Sequence, residues 1–241
     1  MMKEIAPALL EGRYRLTEVL GVGGMSTVYG AYDALLDVWR AIKILEHDLS
    51  VRQRTRERFL TEARTMARLR HPHIVNVLDV GLDGERVYMV MELMLGGSLM
   101  ERVDSHGRLT PLQACQAMSE VLLALEHSHQ HGVIHRDVKP ANVCMDAIGT
   151  LKLTDFGMSK ALHTNHLCAT MAGTPMYMAP EVCKGEGYSH PADMWALGCL
   201  SFELMAFRSP FTVKGAEVRN VMELINRVTS GVIDYTGMED G

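Results

Sequence analysis

The chain has 241 residues, 47% of them hydrophobic and 22% charged, with a net charge of −5. That balance suits one large globular domain or two small packed ones, and the acidic sign argues against a general binder of nucleic acid or anionic membranes. No apolar run approaches the ~18 residues that cross a bilayer, and the opening MMKEIAPALLEGR lacks the basic start, apolar middle and small cleavage site of a signal peptide.

In chain order, segments 14–20, 28–32, 38–45, 74–80 and 87–91 are short and rich in β-branched and aromatic residues, bounded by Gly or Asp, and are predicted as strands. Residues 53–70 interrupt them with a helical pattern in which Phe59, Ala63, Met66 and Ala67 share one face and arginines crowd the others. The first 91 residues therefore read as an antiparallel sheet with one helix. After Gly96-Gly97 the pattern turns helical. Thr110-Pro111 is a cap followed by proline at the first helical position. Leu112, Cys115, Met118, Leu122, Leu125 and His129 then keep helical spacing until Gly132 ends the run. A strand is predicted at 151–154 and further helices at 192–207 and 216–229. The shift at 92–97 marks the boundary between a small β-rich lobe and a larger helical one, and ligands commonly bind between lobes.

Four stretches carry chemistry. Gly21-Val22-Gly23-Gly24-Met25-Ser26-Thr27-Val28 lies between two predicted strands, where glycines let backbone N–H groups approach phosphate oxygens. A strand rather than a helix follows, which speaks against a Rossmann or Walker loop. Lys43, in Ala41-Ile42-Lys43, could reach phosphate if its face opens inward, and Glu62 on the arginine-rich helix is the candidate carboxylate to fix it. HRDVKPAN, from His135 to Asn142, offers Asp137 to accept a hydroxyl proton, Lys139 to neutralise charge on a transferring phosphoryl group and Asn142 to give a carbonyl oxygen to a hard metal ion. Asp155, in Asp155-Phe156-Gly157, ends a predicted strand and is placed to ligate Mg²⁺. Together these hold the groups that metal-bound triphosphate needs beside a hydroxyl.

In this order the motifs resemble a eukaryotic-type (Hanks-type) protein kinase, over residues 13–211. GVGGMSTV resembles its glycine-rich loop, AIK its third-strand lysine, FLTEA the helix-C glutamate, Met91-Glu92-Leu93 the gatekeeper and hinge, GTPMYMAPE at 173–181 the end of the activation segment, and Asp193 in ADMWALG the helix-F aspartate. The resemblance implies an α+β, bilobal fold in which residues 1–241 form one kinase domain, with 13–94 as the N-lobe and 95–241 as a C-lobe expected to be incomplete. It implies ATP and Mg²⁺ as cofactors. Gly21, Gly23, Gly24, Ser26, Val28, Ala41, Lys43, Met91, Glu92, Met94, Asn142 and Asp155 are then nucleotide-binding, Asn142 and Asp155 hold metal, and Asp137, Lys139, Lys43 and Glu62 are catalytic.

Lys139 and the GTPMYMAPE segment are similar to serine/threonine kinases, so the implied substrate is a protein with a Ser or Thr acceptor. Thr174 would contact Asp137 and Lys139, and Met158 hints at serine. Arg136 implies a phosphate on the activation segment, with Thr170 the first choice of site and Thr164 the second. Ser26 replaces the third loop glycine, and no arginine-bearing stretch is visible to pair with Glu181, hence the expectation of a truncated domain. The alternative is a nucleotide-binding pseudokinase or scaffold; a small-molecule kinase fits the GTPMYMAPE segment poorly. His127, His129, His131 and His135 imitate a metal cluster, but only His127 and His131 share helical spacing, and His135 reads better as a packed histidine beneath the loop. The five cysteines are scattered, with no CxxC pair, which implies reduced thiols and a cytoplasmic setting, and the eighteen methionines read as core filler.

Overall fold

A computed structural model describes residues 9–23, 26–45, 52–156, 175–212, 221–233 and 235. The chain divides into two compact units, Met1–Leu95 and Gly96–Gly241.

In the first unit, strands β1 (Leu9–Leu10), β2 (Tyr14–Val22), β3 (Ser26–Asp33), β4 (Val38–Leu45), β5 (Val77–Asp83) and β6 (Arg86–Met91) pair antiparallel in the order β1-β2-β3-β4-β6-β5. Alternation along the strands turns Leu16, Ala31, Ile42, Ile44 and Val90 into a core with Leu10, Tyr14 and Tyr88. Tyr14 and Tyr88 meet edge to face with centroids 5.9 Å apart. Gly81 faces Tyr88 across β5–β6, and a Cβ there would sit 2.1 Å from the tyrosine ring, so this position has room only for hydrogen. Helix α1 (Arg52–Arg68) buries Phe59, Ala63 and Met66, but Ala67 is exposed and Leu69, just beyond the helix, closes the apolar face instead. The strand predicted from residue 74 begins at Val77, because Asn76 is bonded to Glu92 rather than laddered.

The second unit is mainly helical. It contains α2 (Leu99–His106), α3 (Pro111–Gln130), a hairpin of β7 (Val143–Met145) and β8 (Leu151–Leu153), the short α4 (Pro180–Cys183), α5 (His190–Ala206) and α6 (Val221–Ser230). The predicted cap of α3 is present as a capping box: Thr110 accepts the Gln113 N–H, and Gln113 reaches back to the Thr110 N–H. The apolar spacing of α3 misleads, however. Leu112, Cys115 and Leu122 are exposed, and the buried stripe is Ala114, Ala117, Val121, Ala124, Leu125 and Ser128. Small side chains there let α5 pack close. Helix α5 buries most of its circumference and leaves a stripe through His190, Met194 and Gly198 exposed, and Trp195 stacks on Phe211 within 2° of parallel. Helix α2, which the sequence reading omitted, starts from a capping box between Ser98 and Glu101.

Candidate active site

The residues singled out by sequence fall into two groups, one in each unit. In the first, the Gly23 N–H donates to the Ser26 carbonyl at 2.8 Å and closes the β2–β3 turn, whose Gly24 lies outside the described residues. Gly21 pairs with Val28, Val28 with Lys43, and Ala41 with Gly30 and Met91. Ile42 and Ile44 point into the core, so Lys43 must point to the opposite face. There Lys43 Nζ meets Glu62 Oε1 at 3.0 Å, with the two side chains 5% and 2% exposed. In a charge pair this deep each partner offsets part of the desolvation of the other. Beyond β6, the Glu92 carboxylate accepts the Asn76 backbone N–H and side-chain amide at 2.7 and 2.9 Å, while the Glu92 N–H donates to the Asn76 carbonyl. Met94 is half-buried, and no backbone carbonyl among the described residues takes its N–H.

In the second unit, α3 ends at Gln130, Gly132 adopts φ 70°, and the chain turns into the His-Arg-Asp loop. A turn of 3-10 helix at Pro140–Asn142 then leads into the β7–β8 hairpin. The Asn142 carbonyl accepts the Thr154 N–H at 3.0 Å, which sets the base of the hairpin so that Asn142 and Asp155 lie near its open end. His135 is fully buried. Its Nδ1 accepts the Asp137 N–H at 3.2 Å, which fixes the ring proton on Nε2, and Nε2 donates to the Thr154 carbonyl at 2.8 Å. Phe156 packs edge-on against the same ring. One imidazole therefore joins the loop carrying Asp137 to the loop carrying Asp155, as expected of a packed histidine.

Asp137 is held from two sides. The Asn142 amide donates to its backbone carbonyl and to Oδ2, each at 2.8 Å, and Lys139 Nζ lies 2.8 Å from the same Oδ2. Among the described residues, no side-chain hydrogen bond or ion pair reaches Oδ1, and the side chain is 42% exposed. Because Asn142 spends both amide hydrogens on Asp137, its carbonyl oxygen is turned the other way. Asp155 takes φ 64° and Arg136 φ 72°, left-handed values that side chains other than glycine seldom adopt. Arg136 is held there by Asp193, the fully buried aspartate of α5: Oδ1 accepts the Arg136 N–H, Oδ2 accepts the His135 N–H, and His129 Nε2 lies on Oδ2, each at 2.8 Å. Burial pushes the Cys144 thiol, on β7, up to about 12, with the carboxylates of Asp155 and Glu101 acting the same way.

The other histidines have separate partners. His127 and His131 pack against each other at 4.3 Å, and His129 stacks on His190. Among the described residues, no three His, Cys, Asp or Glu side chains gather as metal ligands. Glu181 is half-buried with no cation paired to it among the described residues. Sequence reasoning placed His129 in the spacing of α3 and in the apparent histidine cluster but missed its contact with Asp193, which spans 64 positions and which nothing local announces. Thr164, Thr170, Thr174, Met158, Gly157 and Cys168 lie outside the described residues.

An antiparallel sheet with a strand lysine paired to a glutamate of its main helix, followed by a helical unit with an aspartate-anchored His-Arg-Asp loop, defines a protein kinase fold. Residues 14–236 match the family described as protein kinase domain, and the chain belongs to that family. It is 38% identical over 209 residues to the serine/threonine-protein kinase PrkC of Bacillus subtilis, an alignment covering 86% of this chain and 32% of that protein. It is 39% identical over 214 residues to the serine/threonine-protein kinase PknB of Mycobacterium tuberculosis, covering 86% and 34%. The crystal structure of Rad53 1-466 in complex with AMP-PNP matches with a TM-score of 0.75 and 30% identity, over 92% of this chain and 54% of that one. The chain spans about a third of the length of the curated relatives it matches. Among the described residues, no helix is long and apolar enough to cross a membrane.

Proposed function

We propose that this domain transfers the γ-phosphate of ATP to serine or threonine hydroxyls of protein substrates, and that residues 1–241 act as one kinase domain with lobes at 13–94 and 95–241. The observation that carries the reading is the presentation of Asp137. Its Oδ2 is fixed by Asn142 and Lys139, while Oδ1 is left for a hydroxyl. Asp137 takes the hydroxyl proton as that oxygen bonds to the γ-phosphorus and the bond to the β-phosphate oxygen breaks, releasing ADP. Lys139 offsets charge on the transferred group. Lys43, held by Glu62, grips the α- and β-phosphates, Val28 and Ala41 enclose the adenine beside Met91, and the backbone of Glu92 and Met94 meets its edge.

The oxygen donors present fit Mg²⁺, a hard cation that takes a few protein oxygens and completes its shell with phosphates and water. Asn142 would hold it through the carbonyl that its bonds to Asp137 turn outward, and Asp155 through its carboxylate. When bound, the ion neutralises charge between the phosphates. The relatives' names as serine/threonine-protein kinases favour transfer over nucleotide binding alone.

A phosphate on Thr170, or else Thr164, paired with Arg136, would raise activity. The setting is cytoplasmic, supported by Cys115, Cys144, Cys183 and Cys199, none of which is in a disulfide. The test is phosphate incorporation from labelled ATP with Mg²⁺ into a generic Ser/Thr substrate. Incorporation that drops about 10²–10⁴-fold in Asp137→Ala supports the reading; equal incorporation by both proteins overturns it.

A further inference from the structure

Helix α5 grips one imidazole of α3 from two directions. Asp193 Oδ2 meets His129 Nε2 at 2.8 Å, and His190, three residues earlier on α5, lies flat on the same ring, with centroids 4.4 Å apart and planes within 20°. Residues three apart share a helix face, so this double grip follows from their spacing. We propose that His190 is a positioning residue for phosphotransfer. By covering the face of His129 it keeps that ring's edge on Asp193, and through Asp193 it sets the backbone that carries Asp137. The proposal rests on the phosphotransfer reading above.

His129 is the next-to-last residue of α3, its side chain is 15% exposed, and its outer torsion is one of the broad ones. The stack is what limits that torsion. A carboxylate only accepts, so His129 donates from Nε2. The outer torsion of Asp193 is equally broad, and the carboxylate is held by three donors: the N–H groups of His135 and Arg136, and His129. His129 is the one side chain of the three, and it is the donor that also stacks on His190 of α5. If its ring turns away, Oδ2 keeps only the His135 N–H and the carboxylate can rock. Arg136, at φ 72°, then loses the hold that keeps a non-glycine residue left-handed, and Asp137 is the next residue along. His190 acts by ring contact and not by charge, so a phenyl ring should replace it. It touches neither Asp137, Asn142 nor Asp155 among the described contacts.

Two readouts test this. The first is amide hydrogen exchange at His135 and Arg136 in the chain without nucleotide. His190→Ala should speed it about three- to tenfold, the worth of one aromatic pair, and His190→Phe should leave it near wild type. The second is steady-state phosphotransfer, where His190→Ala should lower kcat by a similar factor with KM for ATP unchanged and the melting temperature lower by no more than the few degrees that one aromatic pair is worth. His190→Phe should restore kcat, and His190→Ala should add nothing in a His129→Ala background. Wild-type exchange and kcat in His190→Ala, equal loss in His190→Phe, or a full additional loss on top of His129→Ala would each overturn the proposal. An inactive wild-type chain would sink the phosphotransfer reading, while the exchange measurement would still decide whether His190 positions the loop.

Discussion

Asp193 Oδ1 accepts the N–H of Arg136 at 2.8 Å, and Arg136 stands in the left-handed region at φ 72°. The same carboxylate takes the His135 N–H, so one buried side chain fixes two successive peptide units just before Asp137. Asp193→Asn keeps one acceptor but turns an amide toward donors. The expected loss is about 2–4 kcal/mol, since hydrogen bonds to charged groups contribute about 1.5–3 kcal/mol each. Denaturant unfolding should show a lower midpoint at unchanged slope. A loss under about 0.5 kcal/mol would mean that the loop holds its shape without Asp193.

The Lys43–Glu62 pair predicts an asymmetry between single and double replacements. Glu62→Leu removes the carboxylate 3.0 Å from the Lys43 ammonium, in a pocket nearly closed to water, and should cost about 3–5 kcal/mol. Replacing both residues, as Lys43→Met with Glu62→Leu, removes both desolvation costs and should recover most of that loss, although phosphotransfer should vanish. Chemical unfolding of the single and double variants measures the coupling directly. Additive losses would show that the two charges do not depend on each other.

The letters of the sequence name chemistry better than they name packing. HRDVKPAN, DFG and AIK announce carboxylates, a lysine and an amide, and these are side chains whose type is the signal. The cap at Thr110 is equally local and was legible for that reason. Whether Lys43 faced water depended on where α1 packs, which no window around residue 43 contains. The buried face of α3 was misjudged because leucines outweigh alanines in a hydrophobic pattern; yet Ala114, Ala117 and Ala124 face inward, and Leu112 and Leu122 are left outside. Helix α2 was readable in Ser98-Leu99-Met100-Glu101, a capping-box spacing close behind two glycines. Asp193's hold on the loop joins residues 57 and 58 positions apart, beyond any periodicity.

Two carboxyls should give opposite pH slopes. Burial pushes the Glu203 carboxyl above its ordinary value, opposed by the hydroxyl of Tyr177 that donates to it and reinforced by Asp104. The folded chain therefore binds this proton more tightly than the unfolded chain, and stability falls as pH rises from the ordinary glutamate pKa through the folded one. Asp33 is the reverse. The Arg13 guanidinium, bidentate at 3.0 and 2.7 Å, and the Leu35 and Leu36 N–H groups hold its carboxyl below the ordinary value. Its contribution is present above the ordinary aspartate pKa and fades as pH falls through the folded one. Glu203→Gln should flatten the decline on the rising-pH side and Asp33→Asn the decline on the acid side. Melting temperatures taken from pH 3 to 8 would read both, and a swap of the two slopes would contradict the assigned environments.

Phe207 ends α5 at φ 56°, ψ 32°, a left-handed cap with its N–H bonded to the Glu203 carbonyl. A side chain in that conformation costs about 1–2 kcal/mol where glycine adopts it freely. The ring returns little of this, because Phe207 is 56% exposed. Phe207→Gly should therefore stabilise the chain by about 0.5–1 kcal/mol once the lost burial and the greater freedom of an unfolded glycine are set against the strain. Phe207→Ala makes the control: it removes the ring but keeps the Cβ, and should be neutral or slightly destabilising. If glycine proves no better than alanine, the left-handed cap is not strained, and the aromatic ring itself must be holding the turn into Arg208 and Ser209.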